Sequence, residues 1–204
     1  MEEGEGLHLD FKFEVSDASK IARSLVSFAN TLGGKLLIGV NDDGTISGIR
    51  SAEELFMIEK AALEYCKPPV NFVSREWRLK GKVVLVVSIA PSLSTPHKAP
   101  DHAGAFKAFV RIDDQNMLAN GIQMKIWNKQ NEMNDINFVY SDEARIMLSM
   151  FDDTEFLTLE NVLSVVKLSK FNIENILAEL ILMKVLNMSV STDKVLFSLM
   201  DPEE

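Results

Sequence analysis

Two adjacent glycines, Gly33 and Gly34, join an apolar helix to an apolar strand, and this junction limits how the first part of the chain can fold. Apolar residues recur at helical spacing before them, and Ser16 or Asp17 can cap that helix. Residues 35–40 are mostly apolar on both faces, which is typical of a central strand. We therefore expect Gly33 to end the helix with a positive φ and Gly34 to let the helix and the sheet approach closely.

The sequence argues against a phosphate-binding role for these glycines. Neither Gly34-Lys35 nor Gly81-Lys82 has the preceding glycine and the following hydroxyl residue that a Walker loop places around its Gly-Lys pair. A Rossmann loop lies after a strand and before a helix, whereas Gly33-Gly34 has the opposite order. Because phosphates bind at the positive N-terminal end of a helix, we interpret the glycines as structural.

Strict alternation over residues 7–13 predicts the first strand, with apolar side chains on one face and His8, Asp10 and Lys12 on the other. Turn residues, prolines and changes of period divide the chain that follows. The remaining predicted elements are a turn at 41–44, a short strand at 45–49, a helix at 52–65, a hairpin of strands at 70–79 and 82–90, a strand at 105–112 and a helix at 122–128.

The last third of the chain differs in charge and in pattern. Residues 1–130 carry 16 basic and 16 acidic side chains, whereas residues 131–204 carry 5 and 14 and so hold the whole net charge of −9. After a polar segment, three predicted helices and a terminal hairpin have the layout of a winged helix. We therefore predict an α+β protein with a first domain at 1–130, a linker at 131–140 and a winged-helix-like domain at 141–204.

The composition also suggests a compartment. No apolar run approaches the roughly 18 residues that a membrane helix needs. The N-terminal MEEGEG lacks the basic and apolar regions of a secretory signal, and the single cysteine, Cys66, cannot form an internal disulfide. These features predict a cytoplasmic protein.

Three carboxylates could bind a divalent metal. Glu5 precedes the first strand, Asp10 lies on its polar face, and Asp42 lies in the NDDG turn, so that all three could converge at one sheet edge. Three oxygen donors suit Mg²⁺ or Mn²⁺, which can activate water for phosphodiester cleavage. The structural alternatives are an ordinary turn residue at Asp42 and an ion-pair partner for Lys12 or Arg23 at Asp10. The histidines of PHKAPDH, His97 and His102, are expected in a solvated loop.

Basic side chains and one aromatic cluster around the predicted hairpin. A protruding basic hairpin with an aromatic residue can follow a nucleic-acid backbone, whereas the structural alternative is a solvated edge hairpin protected by its charges. The candidate nucleic-acid-binding residues are Arg75, Trp77, Arg78, Lys80, Lys82 and Arg111.

The order of these pieces resembles the Schlafen-type AlbA-like domain, a divergent relative of the Alba chromatin fold. The resemblance covers about residues 5–128 and is densest around FANT, GG and IGV. The residues that carry it are Glu5 with Leu9-Asp10-Phe11-Lys12, Phe28-Ala29-Asn30-Thr31, Gly33-Gly34, Ile38-Gly39-Val40, Asp42-Asp43-Gly44, Gly48-Ile49, Pro96-His97 and Val110-Arg111.

The resemblance implies an AlbA-like mixed α/β sandwich, a homodimer, and nucleic acid as the ligand, with DNA favoured over RNA. Some eukaryotic Schlafen proteins are RNA endonucleases that use three acidic residues, and Glu5, Asp10 and Asp42 fall on positions similar to those. The alternative function is therefore a nuclease that depends on Mg²⁺ or Mn²⁺. The leading interpretation requires no cofactor.

The sequence thus favours a nucleic-acid-binding protein, a DNA-binding transcriptional regulator that contacts phosphates through its first domain. The third helix of the second domain carries Glu174 and Glu179 and no basic residue between 172 and 183. Since an acidic face is repelled by phosphates, we expect this domain to pair proteins rather than to read DNA. A protein-interaction scaffold without nucleic-acid binding is the remaining alternative.

Overall fold

The computed structural model describes residues 4–132 and 140–200 of the chain. The chain divides into two compact units, Met1–Ala119 and Asn120–Glu204, and each unit buries its own apolar core. The predicted first domain ended at residue 130, whereas the second unit begins at Asn120. None of the described helices is long and apolar enough to cross a lipid bilayer.

The first unit combines two sheets with two helices within its described residues, which confirms the predicted α+β class. One sheet has the strand order β1-β2-β4-β3, with β1 parallel to β2 and the other pairs antiparallel, and the second has the order β5-β6-β7. The elements are β1 (Leu9–Lys12), α1 (Ala18–Asn30), β2 (Gly34–Ile38), α2 (Glu53–Glu64), β3 (Val73–Leu79), β4 (Lys82–Ile89), β5 (Lys98–Pro100), β6 (Phe106–Ile112) and β7 (Gln115–Leu118).

Helix α1 is the centre of the first unit and is buried along most of its length. It packs against α2, against β5 and β6, and against the face of the four-stranded sheet that carries Leu36 and Val87. The Asp17 carboxylate caps the helix by accepting from the N–H groups of Ser19 and Lys20, as the sequence predicted. The bond from the Ser19 hydroxyl is the main reason why the pKa of Asp17 is lowered.

The two glycines after α1 fulfil the structural roles predicted for them. Gly33 has a φ of 73°, and its N–H donates to the carbonyl of Phe28 at 2.9 Å, which ends the helix. A Cβ on Gly33 would lie 2.7 Å from the carbonyl oxygen of Ile89. A Cβ on Gly34 would overlap the ring of Phe28. Any side chain at either position would therefore force the helix and the sheet apart.

Among the described residues of the first unit, helices pack against one face of the four-stranded sheet. Its other face, here called the outer face, carries a small apolar cluster built from β1, β2, β4 and the loop after β2. Phe11, Val40 and Val84 form the buried part of this cluster, and the half-buried Leu37 and Val86 extend it. The prediction that β2 is buried on both faces therefore holds only in part, because residues of the outer face remain accessible.

Residues 140–200 and helix α3 form the second unit. Ile122 and Ile126 of α3 join its core, which explains why this helix groups with the second unit rather than with the first. A short sheet has the strand order β8-β10-β9. The elements are α3 (Gly121–Asn131), α4 (Asp142–Ser149), a 3₁₀ turn (Met150–Asp152), β8 (Leu157–Thr158), α5 (Leu159–Val165), α6 (Lys170–Leu182), β9 (Leu186–Val190) and β10 (Val195–Leu199).

The three helices and the terminal hairpin predicted after residue 141 are present as α4, α5, α6 and β9–β10. Their identification as a winged helix stays a prediction. The predicted linker at 131–140 begins at the last residue of α3, and residues 133–139 of it lie outside the described residues. The sequence missed β5, β7 and β8, and the strand expected at 45–49 is reduced to a single bridge between Val40 and Ile46.

Candidate nucleic-acid interface

Arg111 lies in the interior of the first unit, contrary to the expectation that it contributes to an exposed basic surface. Only 2% of it is exposed, and its guanidinium NH2 donates to Asp10 Oδ1 at 3.2 Å. Its Nε donates to the carbonyl of Gly6 at 3.1 Å, and its NH1 donates to Asn116 Oδ1 at 3.1 Å. The ring of Phe28 lies 5.1 Å from the guanidinium carbon. Arg111 therefore ties β6 to β1 and is not available to a ligand.

Asn30 and Thr31, the polar residues of FANT, connect α1 to the second sheet. The Asn30 side-chain amide donates to the carbonyls of His97 and Phe109, and its oxygen accepts from the N–H of His97, each at 2.8 Å. The Thr31 hydroxyl accepts from the N–H of Arg111 at 3.0 Å. Because these groups are satisfied inside the protein, the residues that carry the resemblance act mainly as a scaffold.

His97 is buried, contrary to the prediction of a solvated loop. Its Nδ1–H donates to the carbonyl of Pro68 at 2.8 Å, and its Nε2 lies 2.7 Å from the hydroxyl of Ser92. Both ring nitrogens are therefore engaged inside the protein. His102 does lie on the surface, where its Nε2 accepts from Arg23 at 3.0 Å.

Glu5 and Asp10 lie side by side, and cations already surround them. Lys12 Nζ lies 2.9 Å from Asp10 Oδ2 and 4.0 Å from Glu5 Oε1, and Arg111 binds the other oxygen of Asp10. The N–H of Phe11 donates to Glu5 Oε1 at 2.8 Å. Burial raises the pKa of Glu5, and the adjacent Asp10 carboxylate adds to this rise against the opposing bond from Phe11.

Asp42 does not join this pair. It is exposed in the turn after β2, where the neighbouring Asp43 accepts from the N–H and the hydroxyl of Thr45. Within residues 4–132 and 140–200, no three His, Cys, Asp or Glu side chains are grouped so that they could hold a metal ion. The structure does not bring Glu5, Asp10 and Asp42 together as the metal hypothesis requires, and two cations occupy the places where Mg²⁺ or Mn²⁺ would bind Asp10. The residues present do not fit a divalent metal.

The register of the β3–β4 hairpin sorts the remaining basic candidates onto different faces. Arg75 is paired with Val86 and Trp77 with Val84, so that both side chains lie on the outer face. Arg78 belongs to the opposite face because side chains alternate along a strand. The other two candidates, Lys80 and Lys82, flank the tip of the hairpin.

Lys80 and Lys82 differ in what surrounds them. Lys80 has a φ of 50° and forms the tight turn with Gly81. Lys82 is paired with Leu79 at the start of β4, on the outer face, and its Nζ donates to the carbonyl of Ile46 at 2.6 Å. Of the six predicted contacts, the outer face therefore brings together Arg75, Trp77 and Lys82.

Lys35 is a further basic residue of this face and was not among the residues predicted from the sequence. It is paired with Leu9 on one side and with Ser88 on the other, and it is exposed. The signal was its alternation with Leu37 in a strand that was interpreted as central and buried on both faces. Neither Lys35 nor Arg75 forms an ion pair with any residue that the structure describes.

A groove of about 580 Å³ runs across the outer face. Its floor is apolar, with Leu9, Leu37 and Val86 among the lining residues, and Trp77 stands at one side with 66% of its surface exposed. Arg78 also borders the groove. A second depression of about 680 Å³ lies around Gly33 and Gly34 and shares Leu9 and Lys35 with the first.

Cys66, the single cysteine of the chain, is not an activated nucleophile. Cys66 is buried, and burial raises the pKa of its thiol to about 12, so that the thiolate is absent at neutral pH. The outer face presents exposed cations, the exposed ring of Trp77 and an apolar floor.

Comparisons with known proteins place the first unit in a family. A search among curated proteins finds no match. The DIP2311 protein of Corynebacterium diphtheriae aligns with 93% of this chain at 16% identity and a TM-score of 0.49, and the chain spans 34% of that protein. The N-terminal domain of an ATP-dependent DNA helicase RecG-related protein from Nitrosomonas europaea aligns with 70% of this chain and 88% of its own at 18% identity and a TM-score of 0.36. The family described as "Schlafen, AlbA_2" matches residues 5–120, and the chain belongs to this family.

Proposed function

We propose that this protein binds nucleic acid through the outer face of the four-stranded sheet. The observation that carries the proposal is the strand register, which puts Arg75 and Trp77 on the same accessible face as Lys35. Membership of the Schlafen AlbA_2 family supports a nucleic-acid-related role. Cations without internal partners attract phosphates, because neutralising the phosphates releases the counterions condensed on the nucleic acid.

The charge distribution supports this choice of ligand. The cationic side chains of the outer face are exposed, whereas the buried Arg111 is neutralised by Asp10. The acidic excess of the chain lies in residues 131–204 and is absent from residues 1–130. A polyanion would therefore be attracted by the outer face and would gain nothing from the acidic segment.

The test compares two charge-neutralising double variants in the full chain. Lys35→Gln with Arg75→Gln removes the proposed phosphate contacts, and Lys20→Gln with Lys107→Gln removes two exposed cations from α1 and β6. In low salt, the first variant should bind labelled oligonucleotides about tenfold more weakly, and its salt slope should fall by roughly 0.7–0.9 for each lost phosphate contact. Equal losses in both variants, or no binding by the unaltered protein, would contradict the proposal.

A DNA-binding regulator that acts as a homodimer is the finer form of the proposal. In this form the acidic second unit pairs proteins and does not touch the nucleic acid, because residues 131–204 carry 5 basic and 14 acidic side chains and would repel phosphates. Lys170 and Lys129 pair with Glu174 and Glu179 of α6, so the repulsion comes from the whole segment rather than from these two residues. Light scattering of the full chain measures the oligomeric state, and parallel titrations with DNA and RNA of one sequence measure the preference. Substituting Glu174→Gln should leave oligonucleotide affinity unchanged.

A further inference from the structure

We propose that the outer face binds single strands in preference to duplexes, with unpaired bases lying on Trp77 and on the apolar floor of the groove. This inference rests on the proposed function, because it specifies the kind of nucleic acid that the same face accepts.

Trp77 is placed where a base could stack on it. It lies in an edge strand, 66% of it is exposed, and its cross-strand partner Val84 is only 6% exposed. The ring is therefore presented from a rigid, paired strand rather than from a loop. Aromatic rings on such platforms stack with any base, because every base has a π face.

The apolar floor selects against a duplex. A duplex presents phosphates and the edges of paired bases, and its base faces are covered by neighbouring pairs. Leu37 and Val86 on the floor would then face phosphates and gain no apolar contact, whereas an unpaired base would cover them. Lys35 and Arg75 at the margin would bind the backbone of the same strand.

The two depressions suggest a path for one strand. Leu9 and Lys35 border both depressions, so the two join at these residues, and the second one extends to Gly33. Strand β3 spans seven residues, which corresponds to about 20 Å at ~3.3 Å per residue. At ~3.4 Å per stacked nucleotide, this length holds about six nucleotides, within the range of ~4–16 known for single-strand-binding folds.

The alternative occupant of an apolar sheet face is a protein, either another polypeptide or a second copy of this chain. The charges argue for nucleic acid, since Lys35 lines the groove and the register places the cationic Arg75 and Lys82 on the same face. Glu76, the acidic residue of β3, belongs to the opposite face by alternation. A polyanion matches the cationic side chains of this face, whereas the exposed Asp42 and Asp43 lie in the turn between the lining residues Val40 and Ile46.

The experiment uses the full chain, a labelled 12-nucleotide single strand of mixed sequence, and the duplex of that strand with its complement, all in low salt. The single strand should bind at least tenfold more tightly than the duplex. Trp77→Ala should weaken single-strand binding about tenfold and leave duplex binding unchanged. The matched control is Phe56→Ala, which removes an aromatic of 59% exposure from α2 and should change neither affinity.

Tryptophan fluorescence reports on the contact itself. The chain has two tryptophans, and Trp127 is 4% exposed, so that quenching by an added oligonucleotide comes mainly from Trp77. The single strand should quench this emission, and the Trp77→Phe variant should lose the response. Equal or tighter duplex binding, or equal losses from Trp77→Ala and Phe56→Ala, would overturn this inference alone. A change of Trp77 emission with protein concentration and without oligonucleotide would overturn it in favour of a second copy.

If neither nucleic-acid form binds in low salt, the proposed function itself fails. That outcome differs from duplex preference, which leaves the proposed function intact and removes only the single-strand assignment.

Discussion

Asp10 and Arg111 stand 101 positions apart in the sequence and form an ion pair of 3.2 Å inside the first unit. The side chains are 4% and 1% exposed, so the pair is shielded from water. It connects the first strand of one sheet to the middle strand of the other. Two of the residues that carry the resemblance to the family thus form a salt bridge across the fold of this chain.

Replacing Arg111 by Leu should destabilise the first unit by about 3 kcal/mol, because removing one partner of a buried pair leaves the other charge uncompensated. Lys12, which also contacts Asp10, should limit the loss. Urea unfolding followed by circular dichroism measures the change. The matched control is Arg50→Leu, which breaks an exposed pair with Glu14 and should cost about 1 kcal/mol or less. Similar losses in both variants would contradict the structural role of Arg111.

Asn30→Ala should destabilise the first unit by about 2–4 kcal/mol. The substitution removes three hydrogen bonds and leaves the carbonyls of His97 and Phe109 without the amide donor. The N–H of His97 donates to the Asn30 side-chain oxygen in the unaltered protein, so its amide hydrogen should also exchange faster in the variant. Asn41→Ala, which removes a bond to Thr45 in an exposed turn, serves as the control and should change stability by less than about 1 kcal/mol.

Gly34→Ala should destabilise the protein by about 1–3 kcal/mol, as expected for overpacking against the ring of Phe28. Combining it with Phe28→Leu should cost less than the sum of the two single changes, since the smaller side chain makes room for the new methyl group. Gly4→Ala, where nothing lies within 4 Å of the added atom, is the control. Strict additivity in thermal unfolding would show that the close approach of helix and strand is unimportant.

Glu5 makes stability depend on pH in a defined direction. Its pKa is raised above 4.5, so the folded state holds the proton more tightly than the unfolded state does. This contribution is present below the unfolded pKa and is lost as the pH rises through the higher folded pKa. The free energy of unfolding of Glu5→Gln, relative to that of the unaltered protein, should therefore increase as the pH is raised from below 4.5.

Asp17 provides the opposite case for the same pH series. Its pKa is lowered from 3.8, so its contribution is present above that value and is lost as the pH falls. The loss of stability that Asp17→Asn causes should thus become smaller as the pH falls.

For Glu5, a stability difference between Glu5→Gln and the unaltered protein that does not vary with pH would contradict the raised pKa.

Mn²⁺ or Mg²⁺ should not raise the unfolding midpoint of the protein. Lys12 and Arg111 already neutralise Asp10, and Asp42 lies apart in its exposed turn. Thermal unfolding with and without metal measures this, and the Asp42→Asn variant should behave like the unaltered chain. A midpoint that rises with metal in the unaltered chain and not in Asp42→Asn would contradict the separation of these carboxylates.

The sequence revealed those features that depend on neighbours along the chain. The cap at Asp17, the end of the helix at Gly33 and the hairpin around Gly81 follow from local turn and capping chemistry, and the structure contains all three. The resemblance also identified the α+β AlbA-like domain. Such features need no knowledge of distant contacts.

Features that depend on distant partners could not be predicted in the same way. Arg111 looked like a surface cation because its partner Asp10 is 101 positions away, and His97 looked solvated because its partners come from other loops. Lys35 was missed because an apolar strand does not reveal which of its faces a helix covers. The strands β5 and β7 have only 3 and 4 residues and form through pairing with β6 rather than through their own pattern.

The apolar clusters of the first unit draw on residues no later than Phe109, and that of the second unit begins at Ile122. No side chain is shared between these interiors among the described residues. A substitution that opens a cavity in one interior should therefore remove no apolar packing contact from the other.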